Sequence, residues 1–169
     1  MRKLMVVALL GLAACGEAEG GNKMAEEQAA KDALALQPGQ WEALVDVTSS
    51  KVVDGTSPAL KLAAGDKNSI NVCVGAGEGN RPQPELLAGL AGADCDYQNI
   101  YMKRGRITAT ISCKHPEVAG DVLVSTDGTF TATGFEGEAD ISTILAGQGD
   151  SVVKAKIVGR KSAESCTTT

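Results

Sequence analysis

Aromatic side chains are scarce in this chain of 169 residues: Trp41, Tyr97, Tyr101, Phe130 and Phe135 are the whole set, 3% of the total. Each would normally bury about 150–250 Å², so the core has to be built mostly from Val, Ile, Leu and Ala. Such a core is thin, and small exported domains commonly make up the shortfall with covalent cross-links. Histidine occurs once, at His115, and there is no Cys-x-x-Cys, so a closed zinc site would need ligands scattered along the chain. Nor is there a block of Lys or Arg. With a net charge of −5 and a pI near 4.9, the chain lacks the electrostatic footprint of a nucleic-acid binder, or of a protein that docks on anionic lipid headgroups. Long apolar runs are missing too: Leu4 to Leu12 is too short to cross a bilayer as a permanent helix. The length leaves room for one domain.

That short run has a context. Met1 to Cys15, MRKLMVVALLGLAAC, sets Arg2 and Lys3 before it and small residues before a cysteine, which is the grammar of a cleaved export signal. Leu12-Ala13-Ala14-Cys15 resembles the lipobox of bacterial lipoproteins, which implies cleavage after residue 14, a thioether diacylglycerol on Cys15 and an acylated amine. Several acyl chains at about 0.8 kcal/mol per buried CH₂ make such an anchor effectively stable. Gly16 in place of Asp resembles the pattern of lipoproteins sent to the outer membrane. Removing 1–14 takes away Arg2 and Lys3 and no acid, so the mature net charge becomes −7. Residues 15–35 are polar and rich in Gly, Ala and Glu, a flexible tether. Met24 to Leu36 has good helix formers, but a short helix without a wide apolar stripe is marginal alone.

The domain is expected over 36–169. Pro38-Gly39 signals a turn, and Trp41, Ala43, Val45 and Val47 alternate with Glu42, Asp46 and Thr48, which reads as a half-buried strand with Trp41 as a core anchor. Ser49 to Asn68, with Asp54-Gly55, Pro58 and Gly65-Asp66, reads as a long loop or irregular edge hairpin. Ile70, Val72 and Val74 form one side of the next strand and Cys73 the other. Gly75 to Pro84 reads as a mobile loop: its glycines lack the spacing and the Gly-Lys-Ser/Thr of a phosphate cradle. Pro84 to Gly89 predicts one or two helical turns with Pro at the first position, able to cover an open sheet end.

Cys95 to Cys113, CDYQNIYMKRGRITATISC, predicts a hairpin around a three-residue loop, Lys103-Arg104-Gly105. That register sets Met102 against Arg106, Tyr101 against Ile107, Asn99 against Ala109, Tyr97 against Ile111 and Cys95 against Cys113. A second hairpin is expected to turn at Asp127-Gly128, with Val124 opposite Phe130. A third pair, Gly137 to Leu145 and Ser151 to Gly159, puts Val153, Ala155 and Ile157 on one side. With Cys15 set aside, Cys73, Cys95, Cys113 and Cys166 form an even set in an exported chain. The hairpin register selects Cys95–Cys113 and elimination leaves Cys73–Cys166. Chain-entropy estimates are about 3 kcal/mol for the first bridge and about 4.5 for the second. Cys73 and Cys95 fall on strand faces of different character, so the bridges are expected on opposite sides of the sheet unless a bulge intervenes.

Catalytic signatures are weak. His115 precedes Pro116 in a loop, no Gly-x-Ser-x-Gly turn is present, and no cysteine remains to act with the histidine. Glu136, Glu138 and Asp140 share one face of a strand and read as a solvated face rather than an acid/base pair. The expectation is therefore no enzyme and no cofactor.

Several motifs together carry a resemblance. Leu36-Gln37-Pro38-Gly39-Gln40-Trp41-Glu42, Cys73 before a helical turn, the Cys95 and Cys113 pair, Asp127-Gly128-Thr129-Phe130 with Gly134-Phe135-Glu136-Gly137, and Gly159-Arg160-Lys161 before Cys166 resemble a family of small Gram-negative envelope proteins, domain of unknown function 3617. Members often have Gly-Arg-Arg where this chain has Gly159-Arg160-Lys161. The resemblance implies export and a β fold, and brings no established activity. The fold expected is all-β: a single curved antiparallel sheet or half-open barrel of seven to eight strands with one short helical turn, stapled by disulfides. The function expected is that of a lipoprotein held by acylated Cys15 in a bilayer at the periplasmic face of the outer membrane. There it would bind a protein or a small apolar ligand and no nucleic acid, using the mouth of the curved sheet or the loops Ser49 to Asn68 and Gly75 to Pro84, a deep apolar cavity lined by Tyr97, Tyr101 and Ile111 being the mark of small-ligand binding. The alternative is an inhibitor of an envelope-attacking enzyme, its acidic surface meeting a basic target.

Overall fold

The computed structural model describes residue 30 and residues 34–55, 57–145 and 149–166. The export signal, Cys15 and nearly all of the tether lie outside the described residues. Seven antiparallel strands form one sheet: β1 (Gly39–Val52), β2 (Lys67–Val74), β3 (Asp94–Lys103), β4 (Arg106–Lys114), β5 (Gly120–Phe130), β6 (Gly134–Leu145) and β7 (Ser151–Ala163). Their spatial order is β2-β1-β7-β6-β5-β4-β3. The sheet curls into a half-barrel whose two edges, β2 and β3, are consecutive in the chain. The connection between them therefore has to cross the open side, and it does so carrying the short helix α1 (Pro84–Ala88), which touches both β2 and β3.

The inner face is apolar because each strand obeys the period-two pattern. Trp41, Val47, Val74, Ile111, Val122, Val124, Ile141, Val153 and Ile157 are fully buried there. Trp41 stacks on Phe135 with ring centroids 6.3 Å apart, and its indole Nε1 donates to the Gln37 carbonyl at 2.9 Å. Phe135 lies over Gly159, where an added Cβ would stand 1.9 Å from the ring. With few aromatics to bury, the chain places two of them against each other and clears a glycine beneath one.

Helix α1 fills the concavity. Leu86, Leu87 and Ala88 have no exposed surface, and the Thr126 hydroxyl, buried in the sheet, donates to the Leu87 carbonyl at 2.8 Å. Gly89 ends the helix at φ 70°, and a Cβ there would come within 2.9 Å of Ile157 Cδ1. Both the left-handed backbone and the close approach to the sheet require glycine. The first-turn Glu85 carboxylate accepts the Cys95 N–H at 3.2 Å, tying the helix to the start of β3.

Four expectations change. The first hairpin turns on two residues, Arg104 and Gly105, at φ 55° and 74°, not three. Met102 consequently faces Ile107, and Tyr101 faces Thr108. A bulge between Tyr97 and Asn99 restores the expected register, so Tyr97 faces Ile111 and Cys95 faces Cys113. Two left-handed residues twist in the sense that adjoining strands favour, and this register buries Met102 rather than Tyr101. Second, Asp127-Gly128 is no turn. β5 runs through it to Phe130, which pairs with Phe135, and the chain reverses at Thr131, whose N–H donates to the Gly134 carbonyl at 2.8 Å. Gly128 lies opposite Gly137, where a Cβ would meet the Glu136 carbonyl at 2.2 Å. The pair lets the two backbones approach where a Cβ on either would clash, and turning there would take Phe130 out of the core.

Third, β1 continues through a bulge after Val47 to Val52 and β2 begins at Lys67, so the loop is shorter than Ser49 to Asn68. Pairing with β7 continues to Val52 opposite Ser151, which extends the strand. Fourth, the Gly75 to Pro84 segment is a hydrogen-bonded turn. Glu78 accepts the Gly75 N–H at 2.8 Å, and Gly79 accepts the Leu36 N–H at 3.0 Å in a contact that a Cβ would block. Its glycines serve close backbone packing. The seven strands of the sheet fall within the expected seven to eight.

Candidate functional site

Sequence reasoning pointed to four places: the cysteines, the mouth of the curved sheet, His115, and the loops flanking β2. Two disulfides link Cys73 to Cys166 and Cys95 to Cys113, with Cα separations of 5.4 and 4.0 Å. Cys95 and Cys113 point inward and are buried, whereas Cys73 and Cys166 are half-buried at the sheet edge. The bridges thus occupy opposite faces. Two disulfides are the mark of an oxidising compartment outside the cytoplasm.

The mouth holds no cavity lined jointly by Tyr97, Tyr101 and Ile111. Tyr101 is on the convex face and 47% exposed, Ile111 is fully buried, and only Tyr97 stands at the rim. Arg81 lies over the Tyr97 ring, 5.1 Å from its centroid. Burial, offset in part by Arg81 and reinforced by Glu85, pushes the Tyr97 phenol well above the ordinary tyrosine range. The Tyr97 hydroxyl and the Ser151 hydroxyl are buried without a hydrogen-bond partner among the described residues. The interior that an apolar ligand would need is occupied by α1.

His115 sits in the loop after β4, where its Nδ1 accepts the Glu117 N–H at 3.3 Å. It borders a shallow hollow with Leu60, Asn68, Leu90 and Glu117. Glu136, Glu138 and Asp140 line the convex face, as their spacing required, and Asp140 binds Lys154 at 2.5 Å. Further cross-strand pairs, Lys67 with Asp46 at 3.4 Å and Lys114 with Asp121, break up the acidic charge of that face. Among the described residues no group of three His, Cys, Asp or Glu side chains stands close enough to hold a metal ion.

The loop after β1 shows what sequence reasoning missed. Asp54 accepts the N–H groups of Gly149 and Asp150 at 2.8 and 2.6 Å, and Asp150 accepts the Thr143 hydroxyl at 3.1 Å. These bonds tie the end of β1 to the β6 and β7 ends. The chain then folds back, with the Ala59 N–H donating to Gly149 at 3.0 Å and Leu60 inserted into the core. Between that returning segment and Ser50 lies a groove of about 490 Å³, walled by Pro58, Lys61, Leu62, Ala63 and Ala64. Pro58, Leu60, Leu62, Ala63 and Ala64 were visible as apolar residues in a loop, a signal that a long-loop reading passes over.

A family model described as a protein of unknown function (DUF3617) matches residues 36–166. The match begins at Leu36, whose N–H is bonded to Gly79, and ends at Cys166, which closes the outer disulfide. No curated protein and no solved structure matches the chain.

Proposed function

Since the chain belongs to the DUF3617 family, whose biochemical role is uncharacterised, we propose that it is an exported lipoprotein serving as a non-enzymatic interaction module. In this reading the chain is cut before Cys15, acylated on it, and held by residues 16–35 at the periplasmic face of the outer membrane. The observation that carries the interaction reading is the occupied concavity: with Leu86, Leu87 and Ala88 buried against the sheet, recognition falls to the rims and loops. That geometry disfavours a small apolar ligand inside the half-barrel. It also gives no particular support to the inhibitor alternative, because lysines oppose Asp46, Asp121 and Asp140 on the convex face and divide its negative charge.

Mass spectrometry of the native protein purified from membranes tests the anchor. A diacylglyceryl and N-acyl adduct on Cys15 is expected, with the Cys15→Ser variant released into the soluble envelope fraction. An unmodified Cys15 thiol in the native protein overturns the anchoring. In-cell crosslinking of the wild type tests the interaction reading, which predicts a discrete adduct of defined mass and fails if only the uncrosslinked chain is recovered.

A further inference from the structure

One stretch of β1 has a strand on one side only. β2 pairs with β1 from Gly39 to Asp46, whereas β7 pairs along it to Val52. Val47 still uses both backbone groups on the β2 side, bonding Asp66 O at 2.9 Å and Gly65 N at 2.7 Å. Beyond it no backbone hydrogen bond on that side reaches 48–52 among the described residues. Val53 donates to Asp150 on the β7 side, so strand alternation turns the N–H and C=O of Ser50 and Val52 outward. Five residues at about 3.3 Å each expose roughly 16 Å of pairing edge.

Two further features share this edge. The 490 Å³ groove begins at Ser50 and offers Pro58, Leu62 and Ala63 to an incoming side chain. Lys61 stands in the groove wall and Lys51 on the edge strand itself, both exposed and neither ion-paired among the described residues, whereas Lys67 nearby is committed to Asp46. An edge with free backbone groups, an apolar receptacle and flanking cations is the arrangement that receives an extended peptide by strand addition. The lysines set its chemistry. A second copy of the same edge would bring Lys51 towards Lys51, which repels, whereas acidic residues around an apolar one are attracted. The outer edge of β3 is different where it begins, since the Glu85 carboxylate of α1 accepts the Cys95 N–H there.

We propose that β1 from Thr48 to Val52, with the groove under 58–64, binds an extended segment of another protein in which apolar residues are flanked by Asp or Glu. This deepens the interaction reading above and rests on it. The probe is acetyl-Asp-Val-Thr-Val-Glu-amide, titrated into the full mature chain in detergent micelles with both disulfides intact and followed by amide-resolved NMR. Shifts are expected at 49–52 and 61–64, with binding at least tenfold weaker for the analogue flanked by Lys. Ser50→Pro removes one outward N–H at an edge position where proline is tolerated and is expected to abolish binding while leaving the melting transition in place. Lys51→Glu with Lys61→Glu should invert the preference between the two peptides, which keeps the test valid if Ser50→Pro does not fold. Equal binding to Ser50→Pro and wild type, shifts elsewhere on the surface, or no binding of either peptide overturns the proposal. So does self-association that Ser50→Pro abolishes, which would make a second copy the occupant. The in-cell crosslink is read separately: an adduct that persists in Ser50→Pro leaves the interaction reading standing and removes this edge, and no adduct from the wild type removes the reading itself.

Discussion

On the concave face Trp41, Ile111, Val124, Ile141 and Ile157 are fully buried, while one residue along the same strands the convex face presents Ser125, Asp140 and Lys156 to water. The two faces belong to the same backbone and differ in what a substitution can do. Inside, each side chain is held by neighbours that cannot rearrange to fill a void. Outside, charged pairs exchange partners with solvent at little cost. The two disulfides repeat the contrast: Cys95–Cys113 lies within the core and joins neighbouring strands, and Cys73–Cys166 lies at the edge and joins residues 93 apart.

The largest effect should come from the inner face. Trp41→Ala removes the indole from its stack on Phe135 and is expected to lower stability by about 3–5 kcal/mol, read as a reduced denaturant midpoint with unchanged m-value. A loss under 1 kcal/mol would show that the concave face is not the stabilising one. Next come the bridges. Removing Cys73–Cys166 as a double alanine variant should cost about 4.5 kcal/mol on chain entropy and removing Cys95–Cys113 about 3. Thermal melts of the two variants rank them, and the order reverses if packing around the buried bridge outweighs loop length. Thr126→Val is expected to cost about 1–3 kcal/mol, because the Leu87 carbonyl stays buried without its donor. Amide exchange across α1 should then quicken while the outer strands keep their protection.

Smaller still at neutral pH is the ionisation of Tyr97. Burial raises its phenol above the ordinary 10.0, so the folded chain keeps a proton that the unfolded chain loses. That contribution is fully present below pH 10.0 and falls as pH rises beyond it. In a Tyr101→Phe background, phenolate absorbance should appear together with unfolding and not before. Least of all is expected from Lys154→Ala. The hydrogen bond and charge of Asp140 raise the Lys154 ammonium above 10.5, so the pair is intact below that pH and weakens only as pH rises past it. The side chain is solvated, and no resolvable change in melting temperature is predicted.

Much of the fold was legible where period two is unbroken. Trp41, Ala43, Val45 and Val47 were placed correctly, as were Val153, Ala155 and Ile157. The ends of the Cys95 to Cys113 hairpin were also readable, because two cysteines and Tyr97 opposite Ile111 agreed on the register there. The middle was not: the shift introduced by the Arg104-Gly105 turn is cancelled by the bulge near Gln98, and two compensating irregularities leave no mark at the ends. Asp127-Gly128 misled because a turn preference was set above the alternation Val122, Val124, Thr126, Gly128, Phe130, which runs straight through it. The groove beside Ser50 went unread because its walls come from a segment without regular periodicity.

What the residues determined unaided is local and pairwise. Apolar alternation dictates half-buried strands, Pro84 and Glu85 open a helical turn, and four cysteines in a chain with so few aromatics serve as cross-links. Only the tertiary structure decided where β5 stops, that β7 returns to lie beside β1, and that α1 fills the concavity. Those outcomes follow from burying Phe130, Phe135 and Leu87 against residues distant in the chain. Burial of a large side chain is worth about 1.5–3 kcal/mol, enough to override a turn preference that depends on two residues alone.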